Sequence, residues 1–199
     1  MYFYQTYIAV MKLVFATHNA GKLREVKELI GHKYEVIGLS ELDDLEEIPE
    51  NEPTLEGNAL IKARTVWNKY GLGCFSDDTG LEIDALDGAP GVYSARYAGP
   101  TKDAEANMAK VLEQLAGKEQ RMAQFRTAVA LIIEGKEYVF EGTIRGRIAT
   151  KKTGNLGFGY DPIFIPEGHS RSFAQMENAE KNQMSHRGRA IARLVDFLV

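Results

Sequence analysis

Three observations predict an α/β fold, a mixed sheet in two lobes flanked by helices with a cleft between the lobes. Strand and helix patterns alternate in the first half, and two long β-rich runs dominate the second. The 199 residues are 44% hydrophobic, enough for one domain with a sizeable core or two small lobes sharing one cleft; we read one domain. The formal charge of −4, with Lys, Arg, Asp and Glu intermixed, predicts no nucleic-acid partner, since such proteins carry a basic face. The single Cys74 excludes an intramolecular disulfide and a Cys-rich zinc site, and fits a reducing, cytoplasmic compartment. No apolar run approaches the roughly 20 residues that span a bilayer, and the first ten residues lack a signal-peptide pattern, so no membrane association is expected. Residues 1–10 read as an N-terminal extension and 11–199 as the domain, Met11-Lys12 making a natural start.

Lys12-Leu13-Val14-Phe15-Ala16-Thr17 is a buried-type strand. It runs through His18-Asn19-Ala20-Gly21-Lys22 into a helix with Leu23, Val26, Leu29 and Ile30 on one face and Gly31 at its end. This junction gathers free N–H groups, a positive dipole end and a lysine, which makes an anion site; an ordinary turn capped by Asn19 has the same residues. It is not a Walker loop, because the glycine and lysine spacing differs. Residues 33–39 form a second strand, and residues 40–52 an acidic loop expected to be mostly solvated. Thr54 caps a helix reaching about Tyr70, with Leu55, Ala59, Ala63, Val66 and Trp67 inward. Lys62 and Arg64 on it read as exposed helix charges, though either could reach a phosphate.

The chain is organised around Cys74-Phe75-Ser76-Asp77-Asp78-Thr79-Gly80-Leu81. An apolar run delivers two carboxylates and a hydroxyl to a strand end, and Gly80 is expected to turn the backbone. Neighbouring strand side chains point to opposite faces, so Asp77 and Asp78 should have different tasks. Carboxylates so placed suit Mg²⁺, which takes one or two carboxylates plus substrate phosphates. A solvated Asp-Asp turn has the same composition.

Residues 81–86 read as another strand, leading through Asp87-Gly88-Ala89-Pro90-Gly91 to Val92-Tyr93-Ser94-Ala95-Arg96. Thr101 or Asp103 starts a helix with Met108, Val111, Leu112 and Leu115, ended by Gly117. Residues 124–134 and 136–148 form an antiparallel hairpin about Glu134-Gly135-Lys136. In Gly157-Phe158-Gly159-Tyr160-Asp161-Pro162, glycines let the backbone approach a flat ligand. Phe158 or Tyr160 can stack on it and Asp161 can bond a ring N–H. A structural loop with buried aromatics is the alternative. Ser185 caps a last helix with His186, Arg187 and Arg189 in its first turn, where cations oppose the dipole; a docked anionic or keto-bearing ligand would account for them, with Lys181 just upstream.

Six motifs in order resemble the inosine triphosphate pyrophosphatase family over essentially the whole chain from Met11. They are Phe15-Ala16-Thr17-His18-Asn19-Ala20-Gly21-Lys22, Glu56-Gly57-Asn58-Ala59 with Lys62-Ala63-Arg64, Ser76-Asp77-Asp78-Thr79-Gly80-Leu81, Gly88 to Arg96, Gly157 to Pro162, and Ser185-His186-Arg187. The resemblance implies an elongated two-lobed fold, a homodimer, dependence on Mg²⁺, and cleavage of non-standard purine nucleoside triphosphates (ITP, dITP, XTP) to monophosphate and pyrophosphate. It implies that Thr17, His18, Asn19, Ala20, Gly21 and Lys22 hold the triphosphate, with Asn19 and Lys22 in direct contact. It makes Asp78 the general base and a metal ligand, Glu50 the second metal carboxylate with Glu52 competing, and Thr79 part of the same pocket. Phe158, on the loop with Gly159 and Tyr160, would stack on the base; Asp161, His186 and Arg187 would read its edge, and Lys181 would add charge near the phosphates. The rival classes are a phosphatase with an aspartate nucleophile, releasing orthophosphate, and a nucleotide sensor that binds without turnover.

Overall fold

The computed structural model describes residues 11–199, and the expected extension at residues 1–10 lies outside them. β1 (Lys12–Phe15) is an apolar run covered on both faces, as a parallel strand must be. The chain leaves it through Asn19, whose side chain accepts from the Lys22 N–H and caps α1 (Ala20–Ile30). β2 (Glu35–Gly38) pairs parallel to β1 and stops short of the expected residue 39, because Leu39–Leu42 tightens into a 3-10 turn. Thr54 caps α2 (Leu55–Tyr70) by accepting from the Gly57 N–H, and Gly71 ends it at a φ of 65°, where a side chain would be strained. α2 crosses to β3 (Cys74–Ile83), parallel to β1 on its other side.

Cys74–Ile83 is one unbroken ten-residue strand, where the sequence suggests a strand, a turn at Gly80 and a second strand. It continues because β5 (Met122–Ile133) pairs with it from Cys74 through Ile83. Gly80 serves close approach instead: a Cβ there would lie 2.8 Å from the Gly91 carbonyl oxygen, on β4 (Pro90–Gly91). Asp84–Leu86 is a 3-10 turn rather than strand.

Asp103 caps α3 (Ala104–Gln114). β5 (Met122–Ile133) and β6 (Lys136–Ile148) form the expected hairpin, turning at Glu134 and Gly135 with φ of 51° and 73°. β7 (Phe164–Pro166) pairs with the end of β6, giving the order β2-β1-β3-β5-β6-β7 with β4 on β3. A short helix, α4 (Asn178–Met184), unforeseen in the sequence, precedes α5 (His186–Leu198), which Ser185 caps by accepting from the Gly188 N–H.

Alternation along the strands sorts the core. Leu13, Phe15, Phe75, Val129 and Leu131 face α1 and α5. Val14, Cys74, Ala128 and Ala130 face α2. A third cluster, around Phe125, Phe164 and Phe173 with α3, fills the second lobe. Phe15 and Phe75 stack at 4.6 Å, and each such buried ring contributes roughly 1.5–3 kcal/mol. β1 pairs with β3 only as far as Phe15 opposite Phe75, so from Ser76 onward β3 runs past the parallel layer and borders the cleft.

Between Lys136 and Ile144, β6 has β5 on one side and no strand on the other among the described residues. α5 lies so close that a Cβ on Gly142 would come 2.1 Å from the His186 carbonyl oxygen. Arg189 and Arg193 of α5 donate at 2.7 Å to the carbonyls of Thr143 and Glu141.

Candidate active site

A cleft of about 460 Å³ opens between the lobes. From the β1–α1 junction come Thr17, His18, Asn19 and Lys22. Ala20 and Gly21 do not line the cleft: Ala20 is exposed, and a Cβ on Gly21 would lie 2.9 Å from the Phe158 ring, so this glycine lets the aromatic seat against α1. β3 supplies Asp78 and Thr79, the acidic loop Glu50, and α2 Lys62. The glycine loop brings Phe158, Gly159, Tyr160 and Asp161, and the α4–α5 junction brings Lys181, His186 and Arg187. Of the two carboxylates left open for the second metal position, Glu50 borders the cleft and Glu52 is exposed outside it.

The adjacent aspartates have the different surroundings that alternation requires. Asp77 faces α1 and α5, like Phe75. Its Oδ1 accepts from Lys22 and its Oδ2 from Arg187, both at 2.9 Å, and it is 1% exposed. Burial pushes its pKa up, but the charges of Lys22, Arg187 and Lys62 outweigh that and hold it well below the carboxylate range. Asp78 faces α2. Its Oδ2 accepts from Asn58 and its Oδ1 from the Thr79 N–H, both at 3.0 Å. Here burial wins over Lys62 and Lys22, and the pKa is raised.

Asp77 belongs to an alternating chain of six buried or half-buried charges: Lys22, Asp77, Arg187, Glu25, Lys181 and Asp161. Glu25 accepts from Lys181 at 2.8 Å and from Arg187 at 2.5 Å, and Lys181 donates to Asp161 at 2.6 Å. Glu25 went unnoticed in the sequence; its signal is a carboxylate beside Leu29 at the edge of the α1 stripe. Two expectations change. The cations at the start of α5 are not left for a ligand to balance: Arg187 has Asp77 and Glu25, and Arg189 has the Thr143 carbonyl. The Asp161 carboxylate does not stand free, because its Oδ2 accepts from the Phe158 N–H and from Lys181. Three of the five Arg187 donors are committed, to Asp77, Glu25 and the Thr79 hydroxyl, which leaves two. His186 is stacked 4.5 Å from Phe125, and its Nδ1 is buried without a partner. Burial, reinforced by Arg187 and Lys181, puts its pKa well below the ordinary value, so the ring is neutral. Phe158 lies under Lys181 and Arg187, at 4.8 and 5.5 Å. The Tyr160 hydroxyl is committed to the Ser94 carbonyl, 2.8 Å away, and His18 Nε2 lies 2.9 Å from the Asp44 carbonyl.

Lys62 is not the exposed helix charge its type suggested. It is 7% exposed and donates to Glu50 at 2.5 Å and to the Asp77 carbonyl at 2.7 Å, with Asp78 at 4.0 Å. Asn58 and Lys62 follow Leu55 by three and seven residues, so the helical period itself places them on the inward face. The acidic loop is mostly exposed, as expected, with Asp44 its buried exception at 8% exposed, accepting from Tyr70 and paired with Lys69. Glu50 and Asp78 converge on one ammonium at the cleft floor. Two hard oxygen donors beside space for phosphates suit Mg²⁺, whose remaining ligands are water and substrate. Among the described residues no cluster of three or more His, Cys, Asp or Glu offers a complete protein cage.

The profile of the Ham1 family matches residues 13–197. The chain is 54% identical over 189 residues to the dITP/XTP pyrophosphatase of Porphyromonas gingivalis, covering 94% of this chain and 97% of that one. It is 46% identical over 195 residues to the Bacillus subtilis protein of the same name, covering 96% and 98%. The Staphylococcus aureus Ham1 protein structure superposes with a TM-score of 0.84 at 40% identity, covering 94% of this chain and 97% of that one. The matched span holds every cleft residue described above, and the chain belongs to the Ham1 family.

Proposed function

We propose that the protein hydrolyses non-standard purine nucleoside triphosphates, ITP, dITP and XTP, to the monophosphate and pyrophosphate, keeping them out of DNA and RNA. The observation that carries this reading is one cleft holding three things together. These are a helix N-terminus with Lys22, a buried carboxylate of raised pKa, and an aromatic ring on a glycine loop. The relatives' activity supports it. So does the size of the cleft, within the range of roughly 300–1,000 Å³ typical of small-molecule sites.

The α1 N–H groups, Asn19 and Lys22 hold the triphosphate. Asp78 orients a water and accepts its proton as the water oxygen attacks the α-phosphorus. The bond from that phosphorus to the bridging oxygen breaks, and pyrophosphate leaves. Four cations, Lys22, Lys62, Lys181 and Arg187, meet five carboxylates, Glu25, Glu50, Asp77, Asp78 and Asp161, so the protein alone offers a triphosphate no net positive charge. Glu50 and Asp78 are the residues that would hold Mg²⁺, and the ion would supply that positive charge. Phe158 stacks on the base while Asp161, His186 and Arg187 line its edge. The two free Arg187 donors suit a purine 6-keto oxygen, whereas an adenine amino group leaves donor facing donor. An unpaired buried group costs roughly 1–3 kcal/mol, about tenfold or more in selectivity.

The enzyme acts as a homodimer in the cytoplasm on this reading; among the described residues no helix is long and apolar enough to cross a membrane. Light scattering tests the dimer. Incubation with ITP, XTP, ATP and GTP plus Mg²⁺, resolving pyrophosphate from orthophosphate, tests the reaction. Monophosphate and pyrophosphate from ITP and XTP are expected; orthophosphate, or binding without product, would overturn it.

A further inference from the structure

We propose that Asn58 is a positioning residue, one amide that fixes the Asp78 carboxylate and at the same time tethers the acidic loop carrying Glu50. The proposal rests on the reading of Asp78 and Glu50 above. Asn58 is fully buried at the start of α2. Its Nδ2 donates to Asp78 Oδ2 at 3.0 Å, and its Oδ1 accepts the Glu52 N–H at 3.0 Å. Only one orientation of the amide serves both partners, since a carboxylate needs a donor and a backbone N–H needs an acceptor. Glu52 lies two residues beyond Glu50. Glu50 itself is held by Lys62, through the carboxylate, and by Arg96, which donates to the Glu50 carbonyl at 3.0 Å, while Ile48 packs against the α2 cluster.

Lys62 also links the two sides, but through charge on a flexible stem. Asn58 is the short, neutral, rigid link. With it in place, the carboxylate on β3 and the one on the loop have a fixed separation before substrate arrives. An aliphatic residue of the same shape serves neither partner. An aspartate keeps the acceptor for the loop and loses the donor to Asp78.

The test uses Asn58→Leu and Asn58→Asp in the full chain, with thermal melts to normalise to folded protein. Two readouts are taken: kcat and KM for ITP, and the rate at which a glutamyl endopeptidase cuts the loop after Glu46 and Glu47 without nucleotide or metal. Asn58→Asp is expected to lower kcat about 10–100-fold with KM within about twofold and loop cleavage unchanged. Asn58→Leu is expected to lower kcat at least as much and to speed loop cleavage. Variants with kcat within about twofold of wild type per folded molecule, or loop cleavage unchanged in Asn58→Leu, would overturn the proposal. If the wild type itself releases no pyrophosphate, the functional reading fails, while the cleavage comparison still decides the tether.

Discussion

Asp77→Asn and Asp78→Asn change neighbouring residues identically, and the structure assigns them unequal effects on stability. Asp77 is 1% exposed, and each of its oxygens accepts from a cation at 2.9 Å. An asparagine turns an N–H group towards either Lys22 or Arg187, and strips one negative charge from between them. Removing one partner of a buried ion pair costs roughly 3–5 kcal/mol. The Lys22 side chain is 15% exposed and can turn partly to water, whereas that of Arg187 is 2% exposed and keeps only Glu25. We therefore expect a loss of about 3–4 kcal/mol, a fall in Tm of roughly 6–16 °C for a chain of this size. The sign of the pH dependence follows from the lowered pKa. Asp77 stabilises the fold above the usual carboxylate range, and that contribution is lost as pH falls through its depressed folded value. The gap between wild type and variant should hold from neutral pH to about pH 4 and close only in stronger acid. Calorimetry and urea titration at pH 7 and pH 4 measure it. A Tm within about 2 °C of wild type at pH 7 would show that the buried alternation of charge does not hold the site together.

For Asp78→Asn, turnover should vanish while Tm falls by less than in Asp77→Asn. An amide N–H would face either the Asn58 amide or the Thr79 N–H, but no hydrogen-bonded cation loses its partner. The folded pKa is raised, so this carboxyl favours the fold when protonated and its contribution is lost as pH rises through the folded value; at neutral pH the substitution relieves a penalty. A fall in Tm as large as that of Asp77→Asn would contradict that surrounding. Phe158→Ala should raise KM for ITP and lower kcat/KM about 5- to 150-fold, from a stacking contribution of about 1–3 kcal/mol per base; unchanged kinetics would remove the ring from the base site. Gly80→Ala should destabilise by roughly 1–3 kcal/mol, because its Cβ would press on the Gly91 carbonyl oxygen at 2.8 Å; an unchanged urea midpoint would rule out that close approach. Chelator treatment should abolish pyrophosphate release and added Mg²⁺ should restore it, and full activity in chelator would exclude a metal-dependent step.

Local chemistry made much of this legible beforehand. Helix caps at Asn19, Thr54, Asp103 and Ser185 stood where short polar residues precede apolar stripes. The divergent tasks of Asp77 and Asp78 followed from strand alternation alone. What failed depended on partners remote in sequence. Gly80 looks like a turn until β5, more than forty residues later, pairs across it and Gly91 closes on it. Glu25 carries no reading from the sequence, because its partners Lys181 and Arg187 lie over 150 positions away. Lys62 differs in kind: its residue type suggests an exposed charge, while the helical period, which is local in sequence, places it inward.

The arginine pair on α5 also bears on how the chain survives its own synthesis. The β5–β6 hairpin is complete at Ile148, well before α5 is made at 186–198. Until then the outer row of β6, from Lys136 to Ile144, can pair with a strand of any nascent neighbour, the hazard of an open edge. Arg189 and Arg193 then occupy two of its acceptors, while His186 and Arg187, one turn earlier on the same helix, enter the cleft. α5 therefore joins two tasks, lining the cleft with His186 and Arg187 and shielding part of the β6 edge with Arg189 and Arg193.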